Sequence, residues 1–300
     1  MATYRKRECV IIYENWKMLN GKIHTIVTDL DGTFLSEHSQ ISELNHRVFQ
    51  KALNEGLNIV FATGRRFYST YRFATEFEGS FPLICNNGQL MRMYPGQERV
   101  LQYYLEPDLV YGILNLNQEF QFSFLMHTDR YEEGIDFIVQ SRDESLHSIY
   151  TGNYNRSVRL GQEFQVGDFD RITVLCFFDE SIQNLARLER EIFRVYSNHN
   201  IRCVTTTIRG IGPCMEVITL GSSKWSALNV FLNNQGLNSE GVIAFGDEAN
   251  DLELIESSGF GVAMKNAIPI LKERADYCSP YTNKEDGVGR VILELGIISL

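Results

Sequence analysis

Residues 23–34 read IHTIVTDLDGTF. Over 23–28 nearly every side chain is apolar or β-branched, which predicts a strand buried on both faces, as in a parallel sheet. The stretch runs directly into Asp29-Leu30-Asp31-Gly32-Thr33, a polar cluster whose glycine permits a tight turn. The same order recurs three times. Residues 57–62 (LNIVFA) lead into Thr63-Gly64-Arg65, residues 82–85 (PLIC) into Asn86-Asn87-Gly88, and residues 241–245 (GVIAF) into Gly246-Asp247-Glu248-Ala249-Asn250-Asp251.

Helical patterns separate these runs. Ile41, Leu44, Val48, Ala52 and Leu53 share one helical face before Gly56, and Trp225, Leu228, Phe231 and Leu232 repeat the pattern before Gly236. A short helix after Asp251, an apolar run at 260–264, a helix through Ile270 and Leu271, a strand near Tyr277 and a helix over 288–295 follow. The alternation predicts an α/β fold, a parallel sheet with right-handed crossovers. Ligands of such sheets lie beyond the carboxyl ends of the strands, and all four polar clusters fall there.

One interval breaks the rhythm. Residues 89–223 are far more than a crossover needs. A helix begins near Pro107, and Phe120, Phe122, Phe124 and Met126 alternate with polar residues as in a half-buried strand. An apolar run at 172–178, a helical face of Ile182, Leu185, Leu188, Ile192 and Val195, and strand-like pieces at 201–207 and 214–220 follow. An inserted α+β domain is predicted, placed to cover the site. Its phenylalanines, Phe177 and Phe178 included, read as its own core rather than a ring-binding platform. The expected division is an extension over 1–21, a discontinuous core over 22–88 and 220–300, and the insertion over 89–219.

The 300 residues are 44% hydrophobic and 22% charged, which excludes a disordered or collagen-like chain. A net charge of -10 argues against nucleic acid or an anionic membrane as partner, since both are bound by neutralising phosphates. Cys9, Cys85, Cys176, Cys203, Cys214 and Cys278 form no CxxC and are expected to be buried and reduced. The histidines show no zinc spacing. No apolar run approaches the ~18 residues of a membrane span, and the amino terminus lacks the apolar core of a secretory signal. A cytoplasmic enzyme is expected. Nothing in the sequence sets an oligomeric state.

The clusters suggest a chemistry. Asp29 and Asp31 follow a buried strand without a basic neighbour, so a divalent cation is their natural companion; Mg²⁺ suits carboxylates combined with phosphate oxygens. Taken alone, the pair also reads as an Asp-Gly turn. Thr63 and Gly64 offer a hydroxyl and unhindered N–H groups to an anion, or else a simple helix cap. Lys224 opens a helix, where charge and dipole both favour an anion, although such lysines are usually solvated. Asp247, Asn250 and Asp251 invite the same choice between capping and ligation. Their joint occurrence at strand ends and helix starts favours a small phosphorylated substrate.

At these residues a resemblance enters. TDLDGTF (28–34), ATGR (62–65), SSKWSAL (222–228), GDEANDLELI (246–255) and the run from Gly261 to Ile292 resemble a Cof-type phosphatase of the haloacid dehalogenase superfamily. That resemblance covers the core and implies a Rossmann-like sheet with a type IIB cap. It implies that Asp29 is the nucleophile that takes the phosphoryl group and that Asp31 is the general acid and base. Mg²⁺ would be held by Asp29, the main-chain carbonyl of Asp31, Asp247 and, in support, Asp251. Thr63, Gly64, Lys224 and Asn250 would hold the phosphoryl oxygens. Phe34, Glu248 and Leu254 depart from the usual pattern without touching these roles. Residues 1–21 have no counterpart, so Met18 is expected as the start. Substrate choice is expected of the inserted domain and its linkers, at 86–89 and near 209–214.

Two other readings use the same core. A phosphotransferase or phosphomutase would pass the group to a second hydroxyl, and a signalling module would keep a long-lived phospho-aspartate. Asp31 and the large insertion argue against the signalling module.

Overall fold

The computed structural model describes residues 23–140, 150, 156–161, 163–208 and 210–300. The expected extension over 1–21, Cys9 and Arg209 lie outside them. The chain divides into two units. Of the described residues, those within 23–65, 69–101 and 223–300 form one, and those within 66–68 and 102–222 form the other.

The first unit is built on β1 (Thr25–Thr28), β2 (Asn58–Ala62), β3 (Phe81–Cys85), β4 (Leu90–Tyr94) and β5 (Arg99–Gln102). Later in the chain β12 (Val242–Gly246), β13 (Phe260–Ala263) and β14 (Tyr277–Cys278) join the same sheet. Its order is β14-β13-β12-β1-β2-β3-β4-β5. The pairs from β14 to β3 are parallel, and β4 returns antiparallel to β3. The expected core therefore stopped too early. Residues 90–101 contribute two further strands to it, and the return falls at Ser223 rather than at residue 220. Strand β4 (LMRMY) was hidden because Arg92, fully buried here, breaks its apolar run.

Helices α1 (Glu43–Asn54), α2 (Phe67–Ala74), α5 (Lys224–Gln235), α6 (Leu252–Ser257), α7 (Pro269–Arg274) and α8 (Gly287–Glu294) are numbered with α3 and α4 of the second unit, given below. Helix α1 starts two residues later than the expected face, because the Ser42 hydroxyl caps it by accepting from Asn45 N at 3.2 Å. Its fully buried side is Asn45, Val48, Phe49 and Ala52; Leu44 and Leu53 of the expected face are half-buried in the helix, and Ile41 precedes it. Against one side of the sheet Ala227, Leu228, Phe231 and Leu254 pack on Val27, Val60 and Ala244. A separate aromatic stack surrounds Phe61, with ring centroids 5.4 Å from Phe34 and 5.6 Å from Phe81. Phe34, a departure from the family pattern, is thus a core residue, and Leu254 is fully buried too.

In the second unit β6 (Ser123–Arg130), β7 (Ile135–Val139), β8 (Ser157–Arg159), β9 (Ile172–Phe178), β10 (Ile201–Ile208) and β11 (Gly212–Thr219) form a sheet of order β10-β11-β9-β6-β7-β8. Helices α3 (Pro107–Phe120) and α4 (Ile182–Tyr196) bury Ile113, Leu185, Leu188 and Ile192 on it. The expected strand from Phe120 is corrected: Phe120 ends α3, a left-handed Gln121 reverses the chain, and the strand begins at Ser123. On α4, Ile182 and Val195 are exposed, outside the buried stripe. Phe122, Phe124 and Phe177 lie in the unit's own core, with Phe120 packed against it. Cys85, Cys176 and Cys214 are buried, whereas Cys203 is half-buried and Cys278 exposed; all five are thiols.

His127 on β6 is buried, with Nε2 2.9 Å from the Tyr150 hydroxyl and its ring edge-on to Phe137. Burial, with the nearby Arg66 charge, pushes its pKa down to about 3. The folded chain therefore keeps His127 neutral, and its contribution to stability is complete above about pH 6.5 and lost progressively as pH falls toward 3. Between pH 7 and pH 5 this loss is ~2 kcal/mol. Urea unfolding at the two pH values is expected to show that loss in the parent and not in His127→Gln; equal losses in both would contradict it.

Candidate active site

Each strand from the centre of the first sheet delivers one cluster at its carboxyl end. Asp29 follows β1, Thr63 follows β2, Asn86 follows β3 and Asp247 follows β12. The chain fills the sheet outward from β1 on one side and then returns to β12 on the other. Asp29 and Asp247 thus flank the point where the strand order reverses, the place at which such sheets bind ligands.

Asp29 is 5% exposed, and its N–H donates to Phe245 O at 3.0 Å. Lys224, the first residue of α5 behind the Ser223 cap, is fully buried and not solvated. Its ammonium donates to Asp29 Oδ1 and to Asp251 Oδ1, both at 2.7 Å. Asp251 Oδ2 meanwhile accepts from the N–H groups of Asp247 and Glu248 at 3.0 and 3.1 Å. Capping and ion pairing are thus combined in one carboxylate. Asp247 Oδ1 accepts from the Thr33 hydroxyl at 2.7 Å.

Carboxylate oxygens of Asp29, Asp247 and Asp251 lie within 4.8 Å of one another, and all three residues are buried. Burial raises the Asp29 carboxyl well above its usual range; Lys224 opposes this and Asp251 adds to it. Burial also pushes Asp247 up to about 6, against the Thr33 hydrogen bond. Burial lowers the Lys224 pKa, but Asp251 and Asp29 outweigh it and raise the net value. Three buried carboxylates thus face a single ammonium. All the donors are hard oxygens, the set that a small divalent cation such as Mg²⁺ takes, and such a cation would offset the surplus negative charge. The residues fit the cation.

Asp31 stands apart. Its carboxylate is not in that cluster but lies on Arg65, with Nε to Oδ2 at 2.6 Å and Nη2 to Oδ1 at 2.5 Å. Only its main chain is left to serve a cation there. Gly32, next to it, has φ +76°, and a Cβ at this position would sit 2.2 Å from Asp247 Oδ2. Glycine alone allows the turn and the close approach.

Thr63 is buried, and its hydroxyl accepts from Arg65 N–H at 3.1 Å, which leaves its own hydrogen to donate. Gly64 passes the Asn87 side chain, and Asn250 Nδ2 donates to Asn87 Oδ1 at 2.9 Å. Asn86 and Asn87 both have positive φ, with their N–H groups donating to Arg65 O and Thr63 O. Gly88 has φ +93°, and a Cβ there would lie 2.1 Å from Ser223 O. Residues 86–88, within the 86–89 linker, brace the Thr63 loop, Asn250 and the start of α5. Sequence reasoning missed the Arg65–Asp31 pair and the support from Asn266, whose Nδ2 donates to Gly32 O at 2.8 Å. Only the consecutive Asn-Asn-Gly, suited to left-handed backbone, pointed to the brace.

Comparison with known proteins identifies the family and the fold. A Bacillus subtilis 5-amino-6-(5-phospho-D-ribitylamino)uracil phosphatase is 28% identical over 92% of this chain and 98% of its own. The HMP-PP phosphatase of Klebsiella pneumoniae is 27% identical over 81% and 85%. A solved haloacid dehalogenase-like hydrolase from Bacteroides thetaiotaomicron superposes with a TM-score of 0.75 at 26% identity, covering 91% of this chain and 100% of that one. The family model of haloacid dehalogenase-like hydrolases matches residues 26–292. With nearly the whole described chain inside that match, the protein belongs to the haloacid dehalogenase-like hydrolases and is, by family, a phosphoric monoester hydrolase.

Proposed function

We propose that this chain is a Mg²⁺-dependent phosphatase of small phosphorylated metabolites, working through an aspartyl-phosphate. The observation that carries the reading is the buried Asp29–Lys224–Asp251 array beside Asp247 at the reversal of the sheet. The relatives' substrates, a ribitylaminouracil phosphate and HMP-PP, suggest the size of molecule.

Asp29 attacks phosphorus through a carboxylate oxygen, and the bond to the leaving oxygen breaks. Asp31 gives that oxygen a proton. It then takes a proton from water, whose oxygen displaces Asp29 and releases inorganic phosphate. Lys224, the Thr63 hydroxyl, the Gly64 N–H and the Asn250 amide hold the phosphoryl oxygens, where the transition-state charge is spread. Mg²⁺ held by Asp29, Asp247, Asp251 and the Asp31 carbonyl would neutralise carboxylates and phosphate so that the two anions can approach. The cytoplasm expected from the sequence is kept as its proposed compartment. No helix among the described residues is long and apolar enough to cross a membrane.

The test is phosphate release across a panel of phosphorylated metabolites, before and after chelation. EDTA is expected to abolish release and Mg²⁺ to restore it, with phosphate appearing in step with substrate loss. Undiminished release in EDTA would remove the metal from the reading, and an isomeric phosphate ester as product would make the enzyme a mutase.

A further inference from the structure

We infer that Arg65 is a positioning residue for Asp31: its guanidinium fork holds the proposed acid–base carboxylate in one orientation. The inference rests on the reading of Asp31 given above and adds the device that makes it work. The Asp31 side chain is 55% exposed. A carboxylate so placed would sweep through its rotamers in water, whereas proton transfer to a leaving oxygen needs it within hydrogen-bond reach at one place.

Arg65 supplies the constraint. Two parallel N–H groups bind the two carboxylate oxygens, the geometry in which a guanidinium fixes the plane of its partner as well as its distance. The fork is itself held. Its carbon lies 5.1 Å from the Phe73 ring centroid, and Nη2 reaches the Ser39 hydroxyl at 3.4 Å. The main chain of Arg65 is fixed at both ends, by its N–H on the Thr63 hydroxyl and by its carbonyl accepting from Asn86. An ordinary surface ion pair contributes little and has none of these supports. Here the loop that presents Thr63 to the substrate also carries the group that aims Asp31, so the two are placed as one piece.

The readout is the dependence of kcat/KM on the leaving group. Hydrolysis of 4-nitrophenyl phosphate expels a stable anion and draws little on the acid, whereas phenyl phosphate, of nearly the same shape, draws on it heavily. In Arg65→Met we expect kcat/KM for phenyl phosphate to fall by roughly 10- to 100-fold, and that for 4-nitrophenyl phosphate by less than about 3-fold. Arg65→Lys keeps the charge without the fork and is expected to lie between parent and Met variant; it carries the test should the Met variant fail to fold. Equal losses on both esters, as from a general binding or structural role, would overturn the inference, and so would no loss on either. Asp31→Asn separates the two layers. If it too fails to discriminate between the esters, the reading of Asp31 is wrong; if it discriminates and the Arg65 variants do not, only the positioning role falls.

Discussion

Asp29→Asn is expected to lose phosphate release by at least about four orders of magnitude while remaining folded. The amide keeps the shape of the carboxylate but cannot attack phosphorus, and it removes one of three converging negative charges. In the cation-free protein the Asp29 charge is disfavoured by burial and by Asp251, even with Lys224 beside it. Its removal should therefore leave stability in urea unchanged or slightly raised. Lys224 keeps its second partner, Asp251 Oδ1 at 2.7 Å, and so is not left alone in the interior. The measurements are 4-nitrophenyl phosphate hydrolysis and urea unfolding on the same preparation. Release retained at a tenth of the parent rate would end the nucleophile assignment, whatever the metal does.

Lys224→Met should be the most destabilising single change in the site. The ammonium is buried and donates to two carboxylates, so truncation strands both of them next to Asp247 with no cation. Breaking a buried ion pair from one side costs about 3–5 kcal/mol. Loss of the charge proposed to hold the phosphoryl oxygens should also lower kcat by roughly 10²–10³. A divalent cation would restore part of the balance. Added Mg²⁺ is thus expected to raise the melting temperature of the variant by more than that of the parent. A variant as stable as the parent in EDTA would show that the carboxylates are already neutral there, and the electrostatic account of the site would fail.

The strand ends were legible because each is announced by chemistry that changes abruptly. A run of Thr, Ile and Val at 25–28 gives way to aspartate at the residue where the strand stops. Asp29, Thr63 and Asp247 were suspected this way and Lys224 from its place at a helix start, since each needs only its local position to be noticed. The Arg65–Asp31 pair was not, because one surface arginine looks like any other until the β2 and β1 loops are side by side. Strand β4 and the edge strand β5 escaped for a different reason. Buried Arg92 in β4 and the mostly half-exposed face of β5 give neither a continuous nor a clean alternating pattern. The start of α1 was misjudged because Ile41 fits the helical period but precedes the serine that caps it.

The contact between Gly88 and the Ser223 carbonyl ties a turn to a helix start that is distant along the chain. Were that turn to carry even a methyl group, the first coil of α5 would have to lift, and the ammonium it bears would lift with it. The acidity of the pocket is therefore governed in part by a residue with no side chain and no charge.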